Sequence, residues 1–141
     1  MAITAAITNS FKSQAWAGLH QPGDDYRMAL YVSSANLGKS TTVYSAAGET
    51  SGNGYTAGGV SLTGYAPGNA ADVSWLDWAD PVWAAATFVA RGALIYNATR
   101  ANAAIAVLDF GADVSCSAND FVVEFPVPGP TTAVVRIEGS V

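Results

Sequence analysis

The densest group of residues able to do chemistry lies at 72–83, where Asp72, Asp77 and Asp80 alternate with Trp75, Trp78 and Trp83. Glycoside hydrolysis needs two opposed carboxylates. A tryptophan beside a carboxylate is also what a sugar-binding groove presents, the ring stacking on the sugar and the carboxylate accepting its hydroxyls. The same aromatics serve as core or interface anchors, where Trp is enriched, and that expectation is the one adopted. Nucleophilic hydrolysis needs a base beside the nucleophile, and His20 is the single imidazole. It stands just before Pro22-Gly23, so helix termination or a surface contact accounts for it. No Gly-x-Ser-x-Gly occurs, and no Lys follows Gly52-Asn53-Gly54 or Gly58-Gly59 as a phosphate loop requires.

Metal sites need clustered His, Cys or carboxylates. His20 and Cys116, one of each, are far apart in the chain. Asp24-Asp25 and the pair Asp109/Asp113 lack the spacing of a calcium loop. No catalytic, cofactor-binding or metal residue is therefore assigned. Arg91 interrupts an apolar stretch, and a buried Arg must be paired. Asp109, midway along the next apolar run, is the expected mate, in a cross-strand or intersubunit ion pair.

The composition narrows the classes. Of 141 residues, 50% are hydrophobic and 12% charged, with six Lys+Arg against eleven Asp+Glu and a net charge of −5. A charged fraction near 25% is usual. Disorder is not expected, because disordered chains are poor in apolar residues and rich in charge. Nucleic-acid binding is not expected, since six scattered cations make no basic stripe. No run approaches the roughly 18 apolar residues of a membrane span. Alanine reaches 27 and glycine 14, so the core holds fewer large side chains than a mean hydropathy of +0.24 suggests. A surface so poor in charge is weakly protected against association. That fits either a chain covered by partners or an Ala-rich monomer. A lone cysteine rules out an intrachain disulfide. The first residues do not read as a signal peptide, because Lys12 follows the apolar positions and Thr4, Thr8, Asn9 and Ser10 interrupt them. Synthesis and folding in a cytoplasm are expected.

The elements that must position these residues follow from pattern. Asn9 or Ser10 caps a helix over about 10–19, with Phe11, Ala15, Trp16 and Leu19 at helical spacing, stopped by Pro22 and Gly23. Tyr26–Ser33 alternates, Tyr26, Met28, Leu30 and Val32 on one face and Arg27, Ala29 and Tyr31 on the other. Thr41–Tyr44 and Tyr55–Leu62 are expected strands, the second with a bulge or close approach at Gly58-Gly59. Glu49–Gly54 is a loop, Gly64–Asn69 a turn, and Asp72–Trp78 a strand. Val82–Tyr96 is assigned to strand over helix, because Thr87, Phe88 and Val89 are β-formers and Gly92 is poor in a helix. Ala103–Phe110 reads as a strand buried on both faces, Gly111–Asn119 as a connection, Phe121–Phe125 as a strand and Thr131–Ile137 as the last one. One helix and seven or eight strands, with turns every 8–12 residues, define a mainly β chain. The expected fold is an antiparallel β-sandwich or barrel-like domain, single over 1–141, with a short helix in an N-terminal arm over 1–22.

The succession of this helix with Ala29–Ser34, Gly52-x-Gly54-Tyr55-Thr-Ala-Gly-Gly59, Ala90–Asn97 and Ala106–Gly111 resembles a family of small virion structural proteins of tailed bacteriophages. The resemblance runs from about Phe11 to Ile137. It implies a non-enzymatic virion component, made in the host cytoplasm, with a capsid decoration or cement role favoured. The implied partners are other virion proteins, the major capsid protein first, and further copies of the chain, with neither nucleic acid nor membrane. Phe11, Trp16, His20, Trp75, Trp78 and Trp83 are the expected contact residues, chosen by residue type. The alternative is a vertex, connector or tail part binding a receptor or glycan through Trp75, Trp78 or Trp83 with Asp77 or Asp80. A small enzyme is the third reading, disfavoured by the sparse His, Cys and Lys.

Overall fold

The computed structural model describes residues 2–138. The chain runs β1 (Ala6–Ile7), α1 (Asn9–Trp16), β2 (Tyr26–Tyr31), β3 (Val60–Ser61), β4 (Ala66–Ala70), β5 (Val73–Asp77), β6 (Val82–Asn97), β7 (Ala103–Val122) and β8 (Val135–Glu138). Two antiparallel sheets form, one ordered β1-β7-β6-β2-β3 and one ordered β4-β5-β8. The fold is thus mainly β with one short helix near the N-terminus, as expected.

β2 shows why the large sheet sits at the centre. Its alternation divides the side chains between two cores. Tyr26, Met28 and Leu30 join Ile95, Ile105, Trp78 and Val135 on one face. Ala29 and Tyr31 join Leu37, Leu94, Tyr96 and Val107 on the other. The small sheet and Phe11 of α1 cover the first face, and Ile3 with the segment 35–44 covers the second. Leu30, Ile95 and Ile105 are fully buried, and each contributes about 1.5–3 kcal/mol by leaving water.

The helix starts one residue before its pattern and ends three residues short of it. Thr8, rather than Asn9 or Ser10, caps it, its Oγ1 accepting from Phe11 N at 3.2 Å. The same hydroxyl donates to Ala104 O, and Thr8 is wholly buried. The N-terminal segment is therefore seated on β7 and is not a free arm. The stop comes before Pro22. Gly18 takes φ +70°, its N–H reaching Ala15 O while Leu19 N reaches Gln14 O, which is the Schellman closure that ends a helix at a left-handed residue.

Several strand boundaries differ from the expectation. Thr41–Tyr44 makes only a single bridge, Val43 to Ala103. Tyr55–Leu62 contracts to β3, because Gly58 and Gly59 both take positive φ. Gly64–Asn69 is not simply a turn, since Ala66–Ala70 pairs with β5. Pro67 is tolerated there because β4 is an edge strand. The segment 111–119, expected as a connection, is strand. It pairs with β6 through Val114–Ala90, Cys116–Phe88 and Asn119–Ala86. Residues 110–113 bulge opposite Arg91, between the pairs Gly92–Asp109 and Ala90–Val114. Phe121 and Val122 close β7, while 123–125 leave the ladder, and Thr131–Ile137 shrinks to β8.

Gly59 marks the tightest backbone approach. It takes φ +79°, and a Cβ there would stand 1.7 Å from Met28 O. Any side chain would push β3 off β2. Gly59→Ala should lower stability by at least about 2 kcal/mol through combined strain and clash, read as the urea midpoint at unchanged slope. An unshifted midpoint would show that β3 contributes nothing to the sheet.

Candidate functional site

Each residue singled out in the sequence has a definite place. Phe11, Trp78 and Trp83 are 3%, 2% and 2% exposed, so as contact residues they are corrected. Their surface is used inside the chain's own core. Trp78 packs against Tyr26 and Tyr65, and Trp83 against Tyr55 and Phe121. Trp16 is 94% exposed. His20 and Trp75 are half-buried. The Trp75 ring lies flat over Gly68 across the β4–β5 ladder, where any Cβ would come within 2.6 Å of it.

The three carboxylates around these tryptophans do not act together. Asp72 is exposed. Asp80 ties two distant segments, its Oδ1 accepting from Phe125 N at 2.9 Å. Asp77 is half-buried, and desolvation raises its pKa, opposed by the Trp78 N–H and reinforced by the charge of Asp80. What the fold does assemble is a cleft of about 520 Å³ between α1 and the small sheet, lined by His20, Tyr65, Asn69, Ser74 and Trp75 among others.

His20 belongs to a polar tie joining the helix exit to the β6–β7 turn. Asn97 is fully buried, and its Nδ2 donates to His20 Nδ1 at 3.0 Å and to Asp24 Oδ2 at 2.8 Å. Its Oδ1 accepts from Thr99 N, which fixes the amide orientation. An amide nitrogen can only donate, so His20 Nδ1 accepts and its proton sits on Nε2, facing Gln14 Oε1 at 3.0 Å. Burial lowers the His20 pKa, against the pull of Asp24, which matches this neutral ring. Arg100 grips Asp24 through Nε at 2.8 Å and Nη2 at 3.0 Å. That grip, outweighing desolvation, holds the Asp24 carboxyl far below the usual range. Asp25, the neighbouring acid, accepts from Ser61 Oγ and Arg27.

A second tie holds the long loop from Tyr44 to Gly58. Glu49 Oε1 accepts from Tyr44 OH at 2.7 Å, and Oε2 accepts from Tyr55 OH at 2.6 Å and Gly58 N at 2.7 Å. Tyr55 OH in turn accepts from Leu30 N, and Tyr96 OH donates to Gly58 O. Nothing in the local sequence points to Glu49, because its partners are brought together only when the loop folds over β2. Asn97 and Arg100 were missed for the same reason, although a polar residue ending the apolar run of β6 was a usable signal.

Arg91 and Asp109 do pair, at 3.0 Å. The pair is not buried, however, since the two side chains are 33% and 27% exposed. Asp109 also accepts from Gly111 N, and this bond leads the Arg91 bond in lowering its pKa. The pair thus closes the 110–113 bulge rather than neutralising a buried charge. Among the described residues no three His, Cys, Asp or Glu side chains come together as metal ligands, and no helix is long and apolar enough to cross a membrane. Comparisons with protein-family models, curated proteins and solved structures give no match to this chain.

Two predictions follow from these ties. Asn97→Ala should cost about 1–3 kcal/mol, because it removes a fully buried amide that bonds His20, Asp24 and Thr99 N, whereas Arg91→Ala should move Tm by no more than about 3 °C, as for a partly exposed pair. Thermal melts of both variants decide this, and equal losses would refute the ranking. Stability should also fall at alkaline pH. Burial first, then hydrogen bonding to Glu49, raises the Tyr44 phenol to about 12, and burial raises Tyr26, Tyr31 and Tyr55 still further. These phenols ionise near 10 when unfolded. Their contribution is therefore complete below about pH 10 and is lost as pH climbs toward the folded values. A Tm constant from pH 9 to 12 would contradict it.

Proposed function

We propose that this chain is a non-enzymatic structural component of a tailed-phage virion, of the capsid decoration or cement type. It would bind the assembled shell and stabilise it by mass action, since a ligand of the assembled state alone shifts the equilibrium toward it. The sequence resemblance motivates this reading. The observation that best supports it is how the side chains are used. His20, Asp24, Glu49, Asn97 and Arg100 are all committed to internal ties, while Trp16, Val43, Val82, Val114 and Ile137 stand in solvent. These polar groups are satisfied within the chain, while several large apolar side chains stay exposed outside the core, which suits burial against partners.

A second reading, a glycan-binding part of a vertex or tail, draws on the cleft between α1 and the small sheet. Trp75 and Tyr65 offer ring faces there, and Asn69 and Ser74 offer hydroxyl partners.

Quantitative mass spectrometry of purified virions of the encoding phage tests the first reading. A copy number near parity with the major capsid protein is expected. A few copies per particle, together with a Trp fluorescence shift on adding host polysaccharide, would replace it with the second reading. Absence from the particle would overturn both.

A further inference from the structure

Two complementary patches lie side by side on one face of the molecule. The first is a knob. Trp16 ends α1 with 94% of its surface exposed. Lys12 stands four residues earlier on the same side of the helix, and both flank a cleft shared with Ile7, Arg136 and Ile137. The second is a groove of about 630 Å³ beside β7, lined by Phe110, Val114, Phe121, Val123 and Val134, with Glu124 at its rim. Ile7 lines both, so they are neighbours. Of the eight large hydrophobics exposed among the described residues, four belong to this face: Trp16, Ile137, Val114 and Val122.

The charges match across the two patches. The only side-chain ammonium on the knob, Lys12, has no ion-pair partner among the described residues, and neither has Glu124 at the groove. Being adjacent on one rigid face, knob and groove cannot fill each other within a chain. A two-fold rotation lets each copy fill the other, which is the self-complementary contact of a symmetric dimer. Strand addition at β7 is the less suitable mode. Beyond Val107 no strand among the described residues pairs with its outer edge, but the 110–113 bulge and Asp109, Asp113 and Asp120 blunt it.

We infer that this face joins two copies of the chain, Trp16 of each entering the Phe110–Phe121–Val123 groove of the other and Lys12 meeting Glu124 of the second copy. The inference deepens the structural-component reading and rests on it for its setting, joints between copies in a particle.

Sedimentation velocity of the purified full chain, from about 1 to 100 μM, tests it. A concentration-dependent dimer is expected. Trp16→Ala should weaken it at least about 30-fold, the effect of losing a hot-spot side chain, with an unchanged melting curve at concentrations where the parent is monomeric, because Trp16 is 94% exposed on its own domain. Lys12→Glu and Glu124→Lys should each weaken the dimer, and the double variant should recover it. A monomer at 100 μM, a Trp16→Ala dimer as tight as the parent, or a double variant no better than the singles would overturn the inference. A monomer in solution that is abundant in virions would sink this interface alone. A dimer absent from virions would sink the structural-component reading instead.

Discussion

The pairing of β6 with β7 is the constraint on which the rest depends. Their inner halves, 92–97 and 103–107, are buried on both faces, so both faces had to be covered. One is covered by the small sheet and Phe11, the other by Ile3 and a loop segment with little regular structure. Their outer halves run past the sheet, and β7 is mostly exposed from Asp109 to Asp120. A hairpin this long is not regular. The 110–113 bulge takes up the mismatch opposite Arg91, and Asp109 satisfies the Gly111 N–H that the bulge frees from the ladder. The ion pair noticed in the sequence is thus a consequence of hairpin length.

Covering the central sheet with loops creates a polar problem. Backbone N–H and C=O groups in a segment without ladder partners still need partners when water is excluded. The tyrosines answer it. Tyr31, Tyr55 and Tyr96 bury their rings in or against the two cores and aim their hydroxyls at Ser45 O, Glu49 and Gly58 O. Glu49 collects two phenols and an amide, so one carboxylate orders the whole span from Tyr44 to Gly58. Such a network is fully satisfied only in one loop conformation, which makes it a specifier of structure as well as a source of stability.

This arrangement explains what was legible beforehand. Alternation and β-branched content placed β2 and β6, because a central strand's side chains are dictated by its own two faces. The segment 111–119 carried Ala, Ser, Asp and Gly, all weak β-formers, and reads as a connection. It is strand because β6 supplies its ladder, and tertiary pairing outweighs local preference. The tryptophans were misjudged similarly. Trp78 and Trp83 share composition and neighbours with Trp75, and only the packing of two sheets decides which indole is enclosed. The cleft beside Trp75 needed a helix and a sheet brought together from opposite parts of the chain.

The helix connects the buried architecture to the exposed face. Phe11 and Trp16 are five residues apart, a rotation of roughly 140° around the helix axis, so fixing one in the core directs the other into solvent. The ends of α1 are both held, by the Thr8 cap on Ala104 and by the His20–Asn97–Asp24 tie just beyond Gly18. A tryptophan presented on so constrained an element loses little freedom when it is covered, and avoided ordering cost is what converts buried area into affinity. The polar ties that look catalytic in composition therefore act on the exterior too, by holding the helix still.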